Sequence, residues 1–210
     1  MRARRSAVAS ALVAATLPVC LAAQVTTAED AARLRIQAEQ GDANAQNSLG
    51  FLYHRGGAGI KRDFSQAIHW YSLAAQQGLG AAKNNLCTLH AASLNVYQGV
   101  RPAPGQALGP IEPATGTKTD AEGILKWCPE AADHGFAISQ RALGLFHAKG
   151  AKDSTGVPLA PQNFAEAYFW LLQVAKDSFR DAVAAHLTAE KRAEVERKAV
   201  AWKPTRQHLP

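Results

Sequence analysis

Three segments of this chain resemble one another, and this internal repetition constrains the fold more than any other feature. Each segment has an alanine, a glycine three positions later and a leucine eight positions after the glycine; the segments begin at Ala38, Ala75 and Ala132. The glycines are 37 and 57 residues apart. A tryptophan also recurs along the chain, at intervals of 57 and then 43 residues. Self-similarity on this scale is typical of repeat arrays, in which each unit buries its apolar face by stacking against its neighbours.

The spacing of apolar residues inside one unit is helical. In the first unit these residues are Leu49, Leu52 and Tyr53, followed by Ala67, Trp70, Tyr71 and Ala74. Intervals of three and four residues place side chains on one face of an α-helix, and the glycine-rich residues 56–59 interrupt the pattern. Each unit is therefore predicted to be a helix, a loop and an antiparallel helix. The predicted fold class is all-α, with about three repeats and capping helices at both ends.

Two kinds of position are predicted to hold the units together. Small residues such as Gly50 and Gly144 allow neighbouring helices to approach closely. The large side chains of Trp70, Trp127 and Trp170 then fill the gaps between successive units. Loss of one such buried indole would cost on the order of 3–5 kcal/mol.

The repeats and their flanks divide the chain into six segments. These are a signal peptide at 1–23, an N-terminal capping helix at 24–40, repeat 1 at 41–78, repeat 2 at 79–135, repeat 3 at 136–178, and C-terminal capping helices with a tail at 179–210. The period varies in the loops, above all in the proline-rich loop 99–118 of repeat 2, because an insertion between two helices leaves the stacking face unchanged. In the first capping helix, Leu34, Ile36 and Ala38 are expected to pack. Thr188 is expected to cap the last helix.

The first residues have the layout of a secretory signal peptide, with three arginines among the first five residues, an apolar run at 7–21 and then small residues. Cleavage is expected after Ala23, with Ala28 as the second choice. Cys20 leaves an alternative, a lipoprotein with an acylated N-terminal cysteine, although Val19 is larger than the residue that usually precedes such a cysteine. The prediction is a protein secreted to the periplasm, with an outer-membrane lipoprotein as the alternative.

Charge and hydropathy argue against a nucleic-acid partner and against an integral membrane span in the mature chain. The chain carries 23 basic and 17 acidic residues, a net charge of +6, and removal of the arginine-bearing leader lowers the net charge to +3. This excess is too small, and too poorly interleaved with aromatic residues, for a nucleic-acid interface. No apolar stretch after the leader approaches about eighteen residues, so no integral membrane span is expected in the mature chain.

No pattern in the sequence indicates catalysis. The chain has no Gly-x-Ser-x-Gly, His-Glu-x-x-His or Cys-x-x-Cys, which are the spacings expected of a serine nucleophile or a metal site. The glycine-rich residues 56–62 lack the Gly-Lys-Ser/Thr ending of a phosphate loop. His90 and His147 share the repeat position of Tyr53 and are expected at the edge of the core. We therefore predict no catalytic residue, no metal ion and no cofactor.

The first unit resembles the Sel-one-like repeat (SLR) family, which is related to the tetratricopeptide repeats. The matching positions are Ala38, Gly41, Ala43, Ala45, Gln46, Leu49, Gly50 and Tyr53, then Asp63, Ala67, Trp70, Tyr71, Ala74, Ala75 and Gly78. The third unit matches at fewer positions. The second departs more, since Cys87 replaces a glycine and His90 replaces a tyrosine. The resemblance covers residues 38–178 and implies a right-handed α-solenoid that acts as an adaptor or scaffold.

Cys87 and Cys128 are the cysteines outside the leader, and they belong to the two helices of repeat 2. In related repeats these two positions face each other across the helix pair. One interpretation is a disulfide that joins the helices across the long loop, which an oxidising compartment favours. The other is a pair of buried thiols that act as small apolar side chains.

In solenoids of this class, the first helices of successive units line the concave surface. The partner-binding positions predicted there are Asn47, Phe51, His54 and Arg55 in repeat 1, Asn84 and Thr88 in repeat 2, and Arg141, Leu145 and Lys149 in repeat 3. Asn47, Asn84 and Arg141 fall in one column. Their amide and guanidinium donors can hold an extended peptide by its backbone or by a carboxylate.

The predicted function is an exported scaffold or adaptor that binds a protein or peptide partner in the bacterial cell envelope, without catalysis. Two alternatives stay open. One is an enzyme that acts on β-lactam or cell-wall material, which the resemblance to cysteine-rich relatives suggests, although this chain lacks their dense cysteine pattern. The other is a lipid-anchored structural component of the envelope.

Overall fold

The computed structural model describes residues 25–94, 96, 118–152, 155–174 and 178–205. The predictions made for the signal peptide at 1–23, including Cys20, and for all but the last residue of the loop 99–118 concern residues outside this description. The described part of the chain forms nine α-helices and one short hairpin. The helices are α1 (Ala28–Glu39), α2 (Ala43–Arg55), α3 (Phe64–Gln76), α4 (Gly80–Ser93), α5 (Lys118–Asp133), α6 (Ala137–Lys149), α7 (Phe164–Leu172), α8 (Ser178–Ala184) and α9 (Ala189–Ala201), and the strands are β1 (Ala151–Lys152) and β2 (Pro158–Ala160).

Five of these helices begin at a short polar side chain that accepts a hydrogen bond from a backbone N–H group of the first turn. The five residues are Thr27, Asp42, Asp63, Asn163 and Thr188. Thr27 and Asp30 form a capping box, in which the side chain of each accepts from the backbone of the other. Such a cap is worth about 1 kcal/mol. The prediction that Thr188 caps the last helix is confirmed.

The repeated glycines explain where one helix pair ends and the next begins. Gly41, Gly78 and Gly135 have φ angles of 97°, 92° and 86°, a left-handed conformation that is strained for residues with a Cβ atom. Each glycine turns the chain between two helices, from α1 to α2, from α3 to α4 and from α5 to α6.

The helices pack in pairs that stack on one another. The pairs are α2 with α3, α4 with α5 and α6 with α7, and each second helix also packs against the first helix of the following pair. α1 packs on α2 at one end of the stack, and α8 and α9 pack on α7 at the other. This arrangement confirms the helical solenoid predicted from the repeats. In the described ranges, no helix is long and apolar enough to cross a lipid bilayer.

Three buried clusters form the core, and one of the three repeat tryptophans lies in or against each of them. Trp70 of α3 packs against a cluster that α1 and α2 form. Trp127 of α5 belongs to a second cluster together with Tyr71 of α3, and Trp170 of α7 belongs to a third that extends from α4 to α9. Each of these clusters includes residues of the preceding helix pair or of the capping helix α1, as a role of the tryptophans in the gaps between units requires.

In repeats 1 and 3, the two helices of the pair meet at a glycine. A Cβ atom added to Gly50 of α2 would lie 2.7 Å from a ring carbon of Tyr71 on α3, and one added to Gly144 of α6 would lie 2.6 Å from Leu171 on α7. Both distances are well below van der Waals contact, so glycine is required where the large side chain lies against the first helix. We call Gly50–Tyr71 and Gly144–Leu171 the seam pairs of repeats 1 and 3.

The N-terminal capping helix differs in one position from the expectation. Leu34 and Ala38 are buried, as predicted. Ile36 is 55% exposed, so its predicted packing role is wrong. The reason is that α1 packs mainly against α2, and Ile36 lies on the opposite side of the helix from Leu34 and Ala38.

The loop between α6 and α7 carries the β1–β2 hairpin, although the predicted fold class is all-α. Ala151 pairs with Ala160 in an antiparallel register. Gly150 allows the two segments to approach, since a Cβ atom there would lie 2.8 Å from the carbonyl oxygen of Ala160. The hairpin gives a defined path to the connection without disturbing the helix pair.

Candidate partner-binding face

Side-chain hydrogen bonds join the first helices of the three repeats. The Nδ2 group of Asn85 on α4 donates to Oδ1 of Asn47 on α2 at 2.9 Å. The hydroxyl of Ser139 on α6 donates to Oδ1 of Asn84 on α4, also at 2.9 Å. α2, α4 and α6 therefore lie side by side. We call the surface formed by Asn47, Arg55, Asn84, Thr88, Arg141 and Lys149 on these helices the first-helix face.

These bonds fix the orientation of the amide groups of Asn47 and Asn84. In both residues Oδ1 accepts from the following first helix, so the Nδ2 group points away from that contact. Both residues are half-buried, and neither Nδ2 group has a hydrogen-bond partner in the described part of the chain. The first-helix face therefore offers two amide donors at equivalent positions of successive repeats.

Arg55, Arg141 and Lys149 bring positive charge to the two outer helices of this face. Arg55 is exposed at the end of α2, and its guanidinium lies 5.5 Å from the centre of the Phe51 ring. Arg141 is half-buried on α6. Lys149 donates from Nζ to the backbone oxygen of Val96 at 2.9 Å, and burial lowers the pKa of this ammonium group.

Leu145 does not belong to the face, contrary to the prediction. Its side chain is fully buried in the cluster that extends from α4 to α9. The same cluster contains Val96 and Ala151, which follow α4 and α6. In repeat 3 this position is therefore part of the core, whereas the equivalent Phe51 of repeat 1 is half-buried.

Phe51 and Thr88 are predicted positions whose side chains contact their own surroundings. Phe51 packs against the cluster that contains Trp127. The hydroxyl of Thr88 donates to the backbone oxygen of Asn84 in the same helix at 2.8 Å. These two side chains are therefore used in contacts within the protein. The amide donors of the first-helix face come from the two asparagines.

His54 also acts as a packing group. Its ring centre lies 5.6 Å from that of Phe64 and 6.4 Å from that of Tyr71. Burial, followed by the positive charges of Arg55 and Arg62, lowers the pKa of His54 from its usual range. The imidazole is therefore uncharged at neutral pH.

A second polar cluster, which the sequence analysis missed, lies between α4 and α5. The carboxylate of Asp120 meets Nδ1 of His90 at 3.0 Å and accepts a hydrogen bond from the hydroxyl of Ser93 at 2.9 Å. Asp120 stands 57 residues after Asp63, the N-cap of α3, so it holds the N-cap position of its repeat. Because α5 already begins at Lys118, this carboxylate turns instead to His90 and Ser93. The signal available in the sequence was that both aspartates precede the repeat tryptophan by seven residues.

This cluster does not assemble a nucleophile. Ser93 donates to Asp120, whereas a serine nucleophile gives its proton to a histidine. His90 and Asp120 are buried, and Gly123 leaves room for the imidazole. Over the residues that the structure describes, no group of three or more His, Cys, Asp or Glu side chains could hold a metal ion. The cluster therefore joins α4 to α5 by polar contacts.

Cys87 and Cys128 form a disulfide that joins α4 to α5, with Cα atoms 4.8 Å apart. Both residues are fully buried. Of the two interpretations of these cysteines, the structure contains the disulfide. By repeat position Cys87 corresponds to Gly50 and Cys128 corresponds to Tyr71, so the disulfide is the seam pair of repeat 2.

Comparison with known sequences finds the same repeat in two parts of the chain. The profile of the Sel1 repeat matches residues 43–79 and 137–178. The chain is 40% identical over 50 residues to the ERAD-associated E3 ubiquitin-protein ligase component HRD3A of Arabidopsis thaliana, over 24% of this chain and 7% of that protein. It is 30% identical over 139 residues to chitin synthase regulatory factor 3 of Schizosaccharomyces pombe, over 66% of this chain and 12% of that protein. The chain therefore spans about a tenth of the length of these curated relatives.

Solved structures of repeat proteins also align with the chain. A Sel1 repeat protein from Oxalobacter formigenes aligns with a TM-score of 0.42 at 25% identity, over 80% of this chain and 98% of that one. The protective antigen c5321 of uropathogenic Escherichia coli, which displays an SLR fold, aligns with a TM-score of 0.35 at 19% identity, over 84% of this chain and 41% of that one.

Proposed function

This chain is a Sel1-repeat protein, and we propose that it is a scaffold or adaptor that binds a protein or peptide partner on its first-helix face and catalyses no reaction. Two of its relatives are named as a component of a ubiquitin-protein ligase and as a regulatory factor. Both names describe proteins that work together with other proteins, which favours a binding role for the shared repeat.

The observation that carries this proposal is the orientation of the Asn47 and Asn84 amides. Their acceptor atoms are used between helices, and their donor groups have no hydrogen-bond partner in the described part of the chain. One donor per repeat suits an extended partner, whose backbone carbonyl groups or carboxylates recur along its length.

The polar cluster between α4 and α5 favours binding over catalysis. It is the cluster that most resembles part of a catalytic site, yet its serine hydroxyl is held by the carboxylate. Incubation of the purified protein with β-lactam or peptidoglycan fragments tests this point. We expect no turnover above that of a heat-treated sample, and reproducible turnover would contradict the proposal.

We place the scaffold in the bacterial cell envelope. A buried disulfide between Cys87 and Cys128 suits an oxidising compartment such as the periplasm, and the sequence of residues 1–23 has the layout of an export signal. Mass spectrometry of the N-terminus tests the location. A chain that begins at Gln24 or Glu29 supports secretion, an acylated Cys20 indicates a lipoprotein, and an intact N-terminus contradicts export.

The binding role is tested by changing the donors without disturbing the helices. In the variant Asn47→Asp/Asn84→Asp, one carboxylate oxygen keeps each hydrogen bond from Asn85 and Ser139, while the outward donor becomes an acceptor. A matched control, Gln66→Glu/Gln76→Glu, makes the same amide-to-acid change at exposed positions of α3.

The readout is crosslinking and pull-down from envelope extract with the wild type and both variants. We expect partners captured by the wild type and by the control to be lost from the Asn47→Asp/Asn84→Asp variant. The same partner set with all three proteins would contradict the assignment of the first-helix face.

A further inference from the structure

A cleft of about 450 Å³ lies beside the C-terminal end of α6. One side is formed by Ala148 at the end of α6, by Phe164 at the start of α7 and by Gln162 just before it. The other side is one face of α8 and of the turn that follows it, formed by Phe179, Ala182, Val183 and His186. The volume lies in the lower part of the range of small-molecule sites, which is about 300–1,000 Å³.

The position next to the phenylalanine ring is filled in repeat 1 and open in repeat 3. His54 and Ala148 are the second-last residues of α2 and α6. Phe64 and Phe164 are the first residues of α3 and α7. In repeat 1 the imidazole of His54 packs against Phe64, with ring centres 5.6 Å apart. In repeat 3 the methyl group of Ala148 is too short to make this contact, so space remains beside Phe164.

Aromatic side chains line both sides of the cleft. His186 stacks on Phe164, with ring centres 4.1 Å apart and an angle of 6° between the ring planes. Phe179 lies on the α8 side. Both phenylalanines are half-buried, so part of each ring stays accessible. Because aromatic rings pack favourably on one another in stacked and edge-to-face arrangements, this lining favours a flat aromatic ligand.

Gln162 supplies a hydrogen-bond acceptor at the same cleft. Its Nε2 group donates to the backbone oxygen of Ala148 at 2.9 Å. This bond orients the amide so that Oε1 points away from the contact, and Oε1 has no hydrogen-bond partner in the described part of the chain. Lys149 also borders the cleft, but its ammonium group donates to the backbone oxygen of Val96, so we assign no anion to the site. The free acceptor requires a ligand with an N–H donor.

We infer that the cleft binds an indole group, with its ring against Phe164 and Phe179 and its N–H group donating to Oε1 of Gln162. Indole combines a flat aromatic surface with a single N–H donor. The inference goes beyond the proposed function, because the cleft contains neither Asn47 nor Asn84. The indole belongs either to a free small molecule or to a tryptophan side chain of the partner, and two probes distinguish these sources.

Fluorine NMR measures the binding of both probes to the full chain. Fluoroindole represents a free molecule, and N-acetyl-fluorotryptophanamide represents a tryptophan side chain within a polypeptide. We expect the fluorine signal to shift and broaden until it saturates as protein is added. Binding of fluoroindole alone indicates a free molecule, and binding of the amide indicates a side chain of the partner.

Two variants assign the binding to the cleft. Ala182 is exposed and lines the cleft, so Ala182→Phe fills the site without changing a buried residue and is expected to abolish binding. Ala185 is exposed in the turn after α8 and does not line the cleft. The control Ala185→Phe adds the same side chain there and is expected to leave the affinity unchanged.

The hydrogen bond is tested by removing the donor and the acceptor in turn. Fluorobenzothiophene has the shape of fluoroindole with sulfur in place of the N–H group, and it is expected to bind about three- to tenfold more weakly. In Gln162→Met, which changes an exposed residue, the acceptor is absent. The two ring systems should therefore bind this variant with similar affinity.

Three outcomes overturn the inference. Neither indole probe binds in a saturable manner. The probes bind Ala182→Phe as well as they bind the wild type, which places the ring elsewhere on the protein. The wild type binds fluoroindole and fluorobenzothiophene equally well, which removes Gln162 and the N–H group from the recognition.

Discussion

Repeats 1 and 2 differ in how the two helices of each pair are joined. In repeat 1 the seam pair is Gly50 under the ring of Tyr71, so a large side chain fills the space between the helices. In repeat 2 the same two positions hold the disulfide between Cys87 and Cys128. Repeat 3 follows repeat 1, with a leucine in place of the tyrosine. The middle helix pair is joined by a covalent bond, and its neighbours are joined by side-chain packing.

The length of the connection explains why the difference falls in repeat 2. Eight residues separate α2 from α3, and 24 separate α4 from α5. A threefold longer connection costs about 1 kcal/mol more to close. A disulfide that links residues 41 apart contributes about 4 kcal/mol in the loop-entropy treatment. The remaining 3 kcal/mol or so is comparable to the 3–5 kcal/mol that a buried aromatic side chain is worth, so the disulfide offsets both the long connection and the missing ring.

The largest effect is expected from removing the side chain of the repeat 1 seam. Tyr71 is fully buried, and Tyr71→Ala leaves a cavity beside a glycine that cannot fill it. We expect a loss of about 3–5 kcal/mol in the free energy of unfolding, measured by urea denaturation. Tyr71→Leu copies the residue of repeat 3 and should cost about 1–2 kcal/mol. Equal losses in the two variants would show that the ring does not fill the seam.

Removal of the disulfide should cost somewhat less. Cys87→Ala/Cys128→Ala is expected to lower the free energy of unfolding by about 2–4 kcal/mol, because the unfolded chain regains the entropy of its long connection. The reduced wild type should show a similar loss, and reductant should have no effect on the variant. If the variant were as stable as the oxidised wild type, the covalent bond would not be what holds repeat 2 together.

The close approach at Gly50 can be tested by a double-mutant cycle with Tyr71. Gly50→Ala places a Cβ atom 2.7 Å from the ring, and this overpacking should cost about 1–3 kcal/mol despite a gain of about 1 kcal/mol in helix propensity. In the Tyr71→Ala background the clash disappears, and the same substitution should be neutral or stabilising. Additive effects of the two changes would mean that the residues do not oppose each other.

The smallest effect is a dependence of stability on pH that belongs to repeats 1 and 3. Burial lowers the pKa of both His54 and His147, so below the ordinary histidine pKa of about 6.5 the unfolded chain binds more protons than the folded one. Their contribution is therefore fully present above that pH and is lost as the pH falls. We expect a drop in the free energy of unfolding from pH 7 to pH 5 that is reduced in His54→Gln/His147→Gln. An identical pH dependence in this variant and the wild type would contradict the assignment.

The sequence predicts those parts of the fold that depend on local spacing. The helix pairs and the cap at Thr188 follow from residues within a few turns of one another. The burial of Leu145 does not follow, because this residue belongs to a cluster that extends from α4 to α9 and is formed by residues distant in sequence. The contact of Asp120 with His90 was missed because α5 begins earlier than its repeat position implies.

The pairing of the cysteines and the arrangement of the binding face were predicted from the sequence only in part. The repeat positions place Cys87 and Cys128 opposite each other, but the distance of 4.8 Å between their Cα atoms depends on how α4 and α5 pack. Likewise, the sequence placed Asn47 and Asn84 in one column, while the outward direction of their donors depends on hydrogen bonds to Asn85 and Ser139. Direction and distance are tertiary properties, which residue spacing does not contain.

Hydrogen–deuterium exchange, resolved by peptide, compares the two kinds of seam most directly. It is measured on the oxidised wild type and on Cys87→Ala/Cys128→Ala under native conditions. Our account predicts that amides of α4 and α5 exchange faster in the variant while those of α2 and α3 keep their protection, because only the middle pair depends on the covalent bond. Unchanged protection in α4 and α5, or an equal loss of protection in both helix pairs, would contradict it.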